Sequence, residues 1–548
     1  MTEQRLYRFF PAMLVLATLL VFLPALRNDF VNWDDEENFV LNESYRGLGW
    51  DQIRWMWTSH VTGHYIPVTW MTLGLDYEIW RMNPLGYHLT NILWHSANTL
   101  LFYSLALALF RRAIPESSAK LRARIPLGAC FAALFFALHP LRVESVAWVT
   151  ERRDVVSGMF YLLAILAYLR ACQDAPARPL RGKYYWGCLT LFVLAVLSKE
   201  MVVTLPVVLL ILDVYPLGRL GRGPGRWMGA AVHGVWLEKI PFFLTSLAGG
   251  AVALFIGSQT DVSAPAKVAN WFWHVSMPIY GLAFYLWKTV LPFHLAPFYE
   301  ITLHRVDPLG QPFQLSLCAV IAIAVAAYLY RRRFQWLPAE YLAYAVTLIP
   351  VLRIFDSGRQ ITADRYSYLA CLGWALLAGA AIICWRDWDR LTIPAACVLM
   401  AGLAGLTWRQ IGIWRDTDTL WTYTIAVEPS SIAYVNLGKH LMDRGDYLWA
   451  VDQFRQAIAM KPDFAIAHLN LGISLGAMGK LEEAAREFRI VVNLGEMSDL
   501  AENAWGAVLG KQGKLDEAID HFHQALRINP KYALARYNLD QALARKER

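Results

Sequence analysis

Long apolar runs recur through the first three quarters of the chain, separated by shorter polar segments that are rich in arginine. A run of about 20 apolar residues is what crosses a hydrocarbon core of about 30 Å. We therefore predict about eleven membrane-spanning helices, at residues 10–26, 88–110, 125–138, 155–170, 184–198, 201–213, 239–258, 314–330, 337–353, 366–385 and 391–408. A twelfth stretch, Trp271 to Leu291, holds His274, Lys288 and three tryptophans, and we expect it to be re-entrant or interfacial.

Basic residues cluster in four loops and predict the orientation of these helices, because loops rich in Lys and Arg stay cytoplasmic. With the N-terminus inside, and with 271–291 not crossing, all four loops fall on the cytoplasmic side. The long loop Arg27 to Tyr87 and the C-terminal part then lie outside. The clusters are Arg111, Arg112, Lys120, Arg122 and Arg124; Arg170, Arg178, Arg181 and Lys183; Arg219, Arg222 and Arg226; and Arg331 to Arg333.

The first apolar run also has the flanks of a signal peptide, since Arg5 and Arg8 precede it. No small-residue cleavage site is evident before Asp29. We therefore prefer a first span that is retained.

After Trp408 the apolar runs stop and a repeat of 34 residues begins. Glycine, alanine and phenylalanine each recur with this period, and a 34-residue period with small residues at fixed positions is typical of the tetratricopeptide (TPR) helix pair. We predict a linker at 411–429, then three TPR units and a capping helix at 430–548. Such arrays form concave surfaces that bind protein partners. The repeating positions are Gly445, Gly479 and Gly513; Ala450, Ala484 and Ala518; and Phe454, Phe488 and Phe522.

Composition agrees with an all-α polytopic membrane protein. The chain has 548 residues, of which 56% are hydrophobic, and it holds 23 Trp and 25 Tyr, residues that favour the membrane interface. The net charge of +7 comes mostly from the loops, and no basic-aromatic pattern indicates nucleic acid as a partner. Seven cysteines without a CxxC spacing indicate neither a metal cluster nor a disulfide framework.

The loop "NDFVNWDDEENFVLN" places adjacent carboxylates, Asp34 and Asp35, just beyond the first span. A carboxylate there can act as a general base that deprotonates a hydroxyl acceptor, with or without a divalent cation beside it. The same pair can also be a solvated acidic turn. The pair alone does not decide between these two interpretations.

Further charged clusters fall on the same predicted face. One short loop, "HPLRVESVAWVTERRDV", carries His139, Arg142, Glu144, Glu151, Arg152, Arg153 and Asp154. Lys199 and Glu200 occupy a tight turn, and a last loop carries Asp356, Arg359, Asp364 and Arg365. Charged residues close to hydrocarbon are rare and usually functional. Several cations on one face suggest a bound anion, and phosphate suits both Arg and Lys.

Seven segments occur in a fixed order ahead of the repeats: "NWDDE", "HYIPVTW", "YHLTNILWH", "HPLRVESVAWVTERRDV", "LSKE", "YLWKTVLPFHLAPFYE" and "DRYSYL". This ordered series, together with the repeats, resembles the GT-C class of membrane glycosyltransferases, and within it the transmembrane-and-TPR O-mannosyltransferase-like family. Relatives in animals usually carry longer repeat arrays, so three repeats suggest a bacterial member of the family. We then expect the protein in the inner membrane, with its first loop and its repeats in the periplasm.

The resemblance implies transfer of a mannose-like sugar from a polyprenyl-phosphate carrier to a hydroxyl on a protein or glycan. It implies catalytic roles for Asp34 and Asp35, with Asp34 our choice for the base. It also implies that Lys199, Arg359 and Arg365 bind the lipid phosphate. The other candidates for the substrate pocket are His64, His139, Glu144, Arg152, Asp154, Glu200 and Tyr366. Some members of the class hold Mg²⁺ or Mn²⁺ at the acidic pair, and the sequence leaves this open.

Two other functions compete with transfer. A membrane-anchored scaffold, in which the repeats recruit a partner for envelope assembly, explains the TPR units but not the charged clusters, since an anchor needs one span. A transporter of lipid-linked sugar would have charged or Gly/Pro-broken segments inside its spans, and the sequence has few of these.

Overall fold

The computed structural model describes residues 3–174, 182–221, 227, 229, 232–259, 271–300, 310–354, 360–385 and 391–547. This part of the chain is helical apart from two short antiparallel strands, β1 (Tyr299–Glu300) and β2 (Gln360–Thr362), which confirms the all-α class. The chain divides into two compact units, Met1–Asp416 and Thr417–Arg548. Several charged residues named above lie outside the described residues: Arg178, Arg181, Arg222, Arg226, Asp356 and Arg359.

The first unit is built from eighteen α-helices within the described ranges. Proline stands at the first or second position of α3, α4, α6, α10 and α18, where its missing N–H leaves no helical hydrogen bond unmade. The helices are α1 (Glu3–Phe22), α2 (Trp50–Thr58), α3 (Pro67–Trp80), α4 (Pro84–Ala113), α5 (Ala119–Arg122), α6 (Ile125–Ala137), α7 (Val143–Ala147), α8 (Arg152–Asp174), α9 (Lys183–Val196), α10 (Leu205–Val214), α11 (His233–Leu237), α12 (Ile240–Gln259), α13 (Trp271–Val290), α14 (Gln311–Leu329), α15 (Trp336–Leu348), α16 (Ser367–Ala370), α17 (Leu372–Cys384) and α18 (Ile393–Ile413).

Six described helical segments are long and apolar enough to cross a membrane, and two bent pairs could raise the number to eight. The chain is thus an integral membrane protein, but the predicted eleven spans are not confirmed. Helices α9, α10 and α15 have only 14, 10 and 13 residues, because 3-10 turns interrupt the apolar runs. The stretch predicted to be re-entrant or interfacial forms one continuous helix, α13, which is not among the six segments. The six segments are Phe9–Arg27, Pro84–Ala113, Val149–Asp174, His233–Ser258, Gln311–Leu329 and Ile393–Ile413.

The bent pairs carry charged motifs in their short arms. Helix α6 meets the segment Pro140–Ala147, which comprises a 3-10 turn and α7, at 57°, and the segment Asp364–Ala370 meets α17 at 58°. Helices α6 and α17 also pack closely. A Cβ added to Gly128 would lie 2.8 Å from the carbonyl oxygen of Gly379, so these two glycines permit the close backbone approach that is common between membrane helices.

Helix α8 begins and ends in buried polar surroundings. Its first turn belongs to the site described below, and its far end contributes Tyr168 to a second network. There the Tyr168 hydroxyl lies 2.7 Å from both carboxylate oxygens of Asp213, and the Lys239 ammonium and the Arg219 guanidinium each donate to it at 2.7 Å. Glu238 pairs with Arg219 and Lys239, both at 2.6 Å. Two cations and two carboxylates balance each other in this far network.

The second unit is a TPR solenoid, as the repeat period predicts. A leading helix is followed by helix pairs and a last single helix, and in each pair a glycine of the first helix faces a phenylalanine ring of the second. A Cβ on Gly438, Gly472 or Gly506 would come within 2.6–2.7 Å of that ring. The helices are α19 (Thr417–Val427), α20 (Ser431–Asp443), α21 (Tyr447–Met460), α22 (Ala465–Ala477), α23 (Leu481–Leu494), α24 (Ser498–Lys511), α25 (Leu515–Ile528) and α26 (Ala533–Lys546).

Candidate functional site

Asp35 is an anchor of the first loop. Its side chain is 1% exposed, and its Oδ2 accepts a hydrogen bond from the backbone N–H of Val31 at 3.1 Å. Its Oδ1 accepts two bonds from Thr150, from the backbone N–H at 3.1 Å and from the hydroxyl at 2.6 Å. Burial is the largest influence on this carboxyl and raises its pKa to about 7, although these three hydrogen bonds act in the opposite direction.

Asp34, its neighbour, is placed very differently. It is half-buried, and its carboxylate accepts no hydrogen bond from the described residues. Burial raises its pKa, while the positive charges of Arg153 and Arg365 pull the pKa down. The carboxylate therefore lies in the field of two cations without being held by either, which leaves its oxygens available to a ligand.

The cations belong to a buried ion-pair network with Glu151 at its centre. Arg153 meets Glu151 with two hydrogen bonds of 2.6 and 3.1 Å, Lys199 meets it at 2.9 Å and Arg365 at 3.1 Å. Glu151 is 0% exposed. A carboxylate with three cations around it at this depth is strongly held, and removal of any one partner leaves buried charge uncompensated.

Two further carboxylates complete the network. Asp154 accepts from the Lys199 ammonium at 2.7 Å and from the Ser145 hydroxyl at 3.0 Å. Glu144 pairs with the Arg365 guanidinium at 2.5 Å and also accepts from that residue's backbone N–H at 2.8 Å. Three cations thus face three carboxylates. The cations expected at a lipid phosphate, Lys199 and Arg365, are already neutralised by protein groups.

Breaks in the helices bring these charges together. The backbone at Trp148 is extended and separates α7 from a 3-10 turn, Val149–Glu151, which is followed at once by α8. Lys199 is also extended, between α9 and another 3-10 turn. Charged side chains at such breaks can converge on one spot, and the negative charge of Asp154 in the first turn of α8 suits the positive end of the helix dipole.

Three more predicted residues border the network. The Nδ1 of His64 lies 2.7 Å from an oxygen of Glu200, and although burial raises the pKa of Glu200, the charge and hydrogen bond of His64 bring it down to about 2. The ring of Tyr366 faces the Arg365 guanidinium at 5.0 Å and the Lys199 ammonium at 6.0 Å. Tyr366 and the His64–Glu200 pair thus line the edge of the charged site.

Two predicted residues are not part of the network. Arg152 is fully buried and pairs with Asp76 at 2.6 Å, and it donates to the Tyr87 carbonyl oxygen at 2.9 Å. The Nε2 of His139 lies 3.0 Å from the carbonyl oxygen of Thr289, and its Nδ1 accepts from a nearby backbone N–H. Both side chains hold helices together and are engaged away from Asp34. The remaining predicted residue, Arg359, lies outside the described residues.

Sequence reasoning missed Glu151 and Arg153 as site residues, although both stand in the motif "VTERRDV". The motif has two adjacent arginines, and pairing of Arg152 with Asp76 leaves Arg153 for the network.

A metal site was left open by the sequence. No group of three or more His, Cys, Asp or Glu side chains with suitable geometry for a metal ion occurs in the described ranges. Because both carboxylate oxygens of Asp35 already accept hydrogen bonds, Asp34 is the better placed residue of the pair to ligate a cation.

An apolar cavity of about 540 Å³ lies in the same unit as the network. Helix α8 connects the two, because Asp154 is in its first turn while Tyr161 and Ile165, further along, line the cavity. A rise of about 1.5 Å per residue puts Tyr161 about 10 Å from Asp154 along the helix. The cavity continues along α17 to Cys384, a helix about 20 Å long. The other walls come from α4, α10, α15 and α16.

Comparison with known proteins supports the resemblance. Residues 438–479 and 506–546 match a family model described as TPR repeat. The chain is 25% identical over 483 residues to protein O-mannosyl-transferase TMTC4 of Homo sapiens, which covers 79% of this chain and 64% of that protein. It is 24% identical over 475 residues to protein O-mannosyl-transferase F38B6.6 of Caenorhabditis elegans, covering 82% of this chain and 62% of that protein.

A shorter match is closer in sequence: 32% identity over 163 residues to protein O-mannosyl-transferase tmtc2 of Xenopus laevis, covering 28% of this chain and 18% of that protein. The chain spans slightly less than two thirds of the length of the human TMTC4 and worm relatives. Among solved structures, a chain of the APC/C hetero-tetramer Cut9-Hcn1 is 15% identical and covers 93% of this chain and 98% of its own, with a TM-score of 0.24, too low to carry an argument. These named relatives confirm the resemblance to the transmembrane-and-TPR O-mannosyltransferase family.

Proposed function

We propose that this chain is a membrane glycosyltransferase that moves a mannose-like sugar from a polyprenyl-phosphate carrier to a hydroxyl group on a protein or glycan. The observation that carries the proposal is the contrast between the two adjacent aspartates. Both carboxylate oxygens of Asp35 accept hydrogen bonds, whereas the carboxylate of Asp34 is half-buried, accepts no hydrogen bond from the described residues and faces cations. That is the arrangement a general base needs.

In the proposed reaction, Asp34 takes the proton of the acceptor hydroxyl as the acceptor oxygen bonds to the anomeric carbon of the sugar. The bond from that carbon to the carrier's phosphate oxygen breaks, and the carrier phosphate leaves with the electron pair. Positive charge near the leaving oxygens lowers the barrier. Lys199 and Arg365 are our candidates for this charge, with Arg359 as a candidate from the family resemblance alone.

The network sets a condition on that role. Lys199 and Arg365 are shared with Glu151, Asp154 and Glu144, so a phosphate has to approach cations that are already neutralised. We therefore expect the phosphate to bind at the edge of the network, next to Asp34 and Tyr366. A divalent cation held by Asp34 and the phosphate would supply additional positive charge there.

The apolar cavity suits the other end of such a carrier. Polyprenyl chains are long and apolar, and the cavity lies within the membrane unit and starts about two helical turns from Asp154. A carrier with its phosphate at the network could place part of its chain along α17. The TPR unit would then bind the acceptor protein or a partner, in line with the concave surfaces of such arrays.

The test is transfer of radiolabelled mannose from polyprenyl-phosphate-mannose to an envelope extract by the purified, reconstituted full chain. We expect transfer by the wild type and loss of at least 100-fold with Asp34→Asn, the scale typical of a lost general base. The matched control is Glu37→Gln, which removes an exposed carboxylate of the same loop and should leave the rate within about twofold. Undiminished transfer by Asp34→Asn would contradict the assignment.

The competing function, a non-enzymatic TPR scaffold, makes the opposite prediction for the same experiment. A scaffold would show no transfer with any polyprenyl-phosphate sugar, yet would retain a partner through the repeats. We also propose that the first loop and the repeats face outward, in the periplasm of a bacterial inner membrane. A tag placed after Arg548 should then react with an impermeant reagent in intact cells, and protection of the tag would reverse this orientation.

A further inference from the structure

The pair of His64 and Glu200 holds polar atoms that the proposed reaction does not use. His64 Nδ1 lies 2.7 Å from Glu200 Oε1, and the two side chains are 33% and 31% exposed. The other carboxylate oxygen, Glu200 Oε2, is buried and accepts no hydrogen bond from the other described residues, although the backbone N–H of Glu200 itself faces the carboxylate. Buried polar atoms normally have a hydrogen-bond partner, so Oε2 has capacity for a ligand.

The backbone around the pair is fixed. The Thr69 hydroxyl, in the first turn of α3, donates to the Ser198 carbonyl oxygen at 2.9 Å, which ties the chain after His64 to the chain before Glu200. Thr62, two residues before His64, has a φ of 52°, a left-handed conformation that is strained for a β-branched residue. Such conformations persist where the surroundings enforce them, and they cluster at binding sites.

The pair also lies close to the proposed base. Burial raises the pKa of both Asp34 and Glu200, and the positive charges of Arg153 and His64 lower both values. Because charge effects weaken with distance, two charged neighbours in common place the pair beside Asp34. Since His64 and Glu200 are each about one-third exposed, a ligand that reaches Asp34 can also reach them.

The chemistry of the pair selects which part of a carrier-linked sugar it can hold. Glu200 is ionised at neutral pH, since its pKa is about 2, and a carboxylate only accepts hydrogen bonds. Oε2 therefore repels the carrier phosphate, which is an anion without O–H groups. His64 Nδ1 must donate to Glu200, so Nε2 of the neutral ring is an acceptor as well. The acceptor hydroxyl gives its one proton to Asp34 in the proposed reaction, which leaves the hydroxyl groups of the sugar.

We propose that His64 and Glu200 form the sugar subsite of this protein, in which Glu200 Oε2 and His64 Nε2 accept hydrogen bonds from hydroxyl groups of the carrier-linked sugar. The inference rests on the proposed function, because it takes a carrier-linked sugar as the ligand. It assigns recognition of the sugar to residues other than the base and the phosphate-binding cations. A hydrogen bond to a charged acceptor contributes about 10-fold to 100-fold in affinity.

The test compares the affinity of the purified full chain for two soluble ligands, by titration calorimetry in detergent and without an acceptor. One ligand is citronellyl-phosphate-mannose, a short-chain analogue of the proposed substrate. The other is citronellyl methyl phosphate, a diester of the same charge without a sugar. We expect the wild type to bind the mannosyl ligand about 10-fold to 100-fold more tightly. Equal affinities, or no binding of either ligand, would overturn the proposal.

Two variants locate the source of that difference. Glu200→Met and His64→Phe keep approximately the volume of each side chain and remove its hydrogen-bonding atoms. Each should weaken binding of the mannosyl ligand about 10-fold and leave binding of the methyl diester unchanged. Glu43→Gln, at a carboxylate that is 82% exposed, is the control and should change neither affinity. Where Glu200→Met fails to fold, His64→Phe decides. Equal weakening of both ligands, or of neither, would contradict the sugar subsite, because a purely structural role does not depend on the sugar.

Transfer assays on the same proteins separate this inference from the proposed function. A wild type that binds the mannosyl ligand through Glu200 but transfers no mannose would contradict the proposed reaction alone. A wild type that transfers mannose, while both variants bind the mannosyl ligand as tightly as it does, would contradict the sugar subsite alone.

Discussion

Thr150 donates two hydrogen bonds to the same carboxylate oxygen of Asp35, one from its backbone N–H at 3.1 Å and one from its hydroxyl at 2.6 Å. Because Thr150 directly precedes Glu151, this contact joins the first loop to the centre of the ion-pair network. The position of Asp34 is thus determined by its neighbour. Loss of the Thr150–Asp35 contact should therefore disturb the positions of both the first loop and the ion-pair network.

Thr150→Val tests this link, because valine keeps the shape of threonine and removes the hydroxyl donor. A buried acceptor that loses a bond costs about 1–3 kcal/mol, so the melting temperature should fall. Thr58→Val is the matched control, since the Thr58 hydroxyl donates to a backbone carbonyl oxygen on an exposed helix and should matter little. Equal losses for the two variants would show that Thr150 has no special role.

The pH dependence of transfer should reveal the ionisation of Asp34. Burial raises the pKa of this carboxyl, so the base becomes protonated, and activity falls, at a higher pH than for an ordinary aspartate. Arg153 lowers that pKa, and Arg153→Gln should therefore shift the acidic limb of the rate profile further toward neutral pH. Arg81→Gln, at an exposed pair with Glu78, should leave the limb in place. An unshifted limb with Arg153→Gln would argue against Asp34 as the base.

The ion pairs around Lys199 should be strongly coupled. Lys199→Met leaves Asp154 without its cation and the network with one excess negative charge, and breaking a buried pair costs about 3–5 kcal/mol. When Lys199→Met is combined with Glu151→Gln, the loss in free energy of unfolding should be smaller than the sum of the losses of the two single variants by about 1–3 kcal/mol.

The control cycle for that prediction uses an exposed ion pair on α8. Arg170 and Asp174 lie 3.3 Å apart at the far end of α8, and such pairs are worth about 0.5 kcal/mol or less. Melting temperatures of all the variants in one detergent give both coupling energies. Similar couplings for the two pairs would mean that the network does not stabilise the site.

The TPR unit offers a prediction about packing. A Cβ on Gly472 would lie 2.6 Å from the ring of Phe488, closer than any carbon contact allows, so Gly472→Ala should destabilise the unit by about 1–3 kcal/mol. At Gly510 the nearest atom to an added Cβ is 3.9 Å away, and Gly510→Ala should be neutral or gain up to about 1 kcal/mol in helix propensity. Thermal unfolding of both full-length variants checks the difference.

Much of the architecture could be predicted from the sequence, because a repeat of 34 residues with glycine, alanine and phenylalanine in step leaves few alternatives to a TPR solenoid. The apolar runs likewise predicted membrane helices. Their number could not be predicted, since short 3-10 turns divide apolar stretches without changing composition. At Glu200–Thr204 such a turn separates α9 from α10.

For the site, the sequence predicted which loops carry charge but not how the charges pair. Arg152 and Arg153 are adjacent and chemically identical, yet one binds Asp76 between helices and the other binds Glu151. Asp34 and Asp35 differ in the same way. Neighbouring positions at a helix start point in different directions, and only the three-dimensional arrangement determines the partner of each.

The two polar networks at the ends of α8 have a mechanical consequence. Asp154 and Tyr168, about 20 Å apart along the helix, are each held by several charged groups. A helix that is bonded to charged partners near both ends resists sliding along its axis and rotation about it. We therefore expect any movement that opens the cavity to come from the surrounding helices rather than from α8.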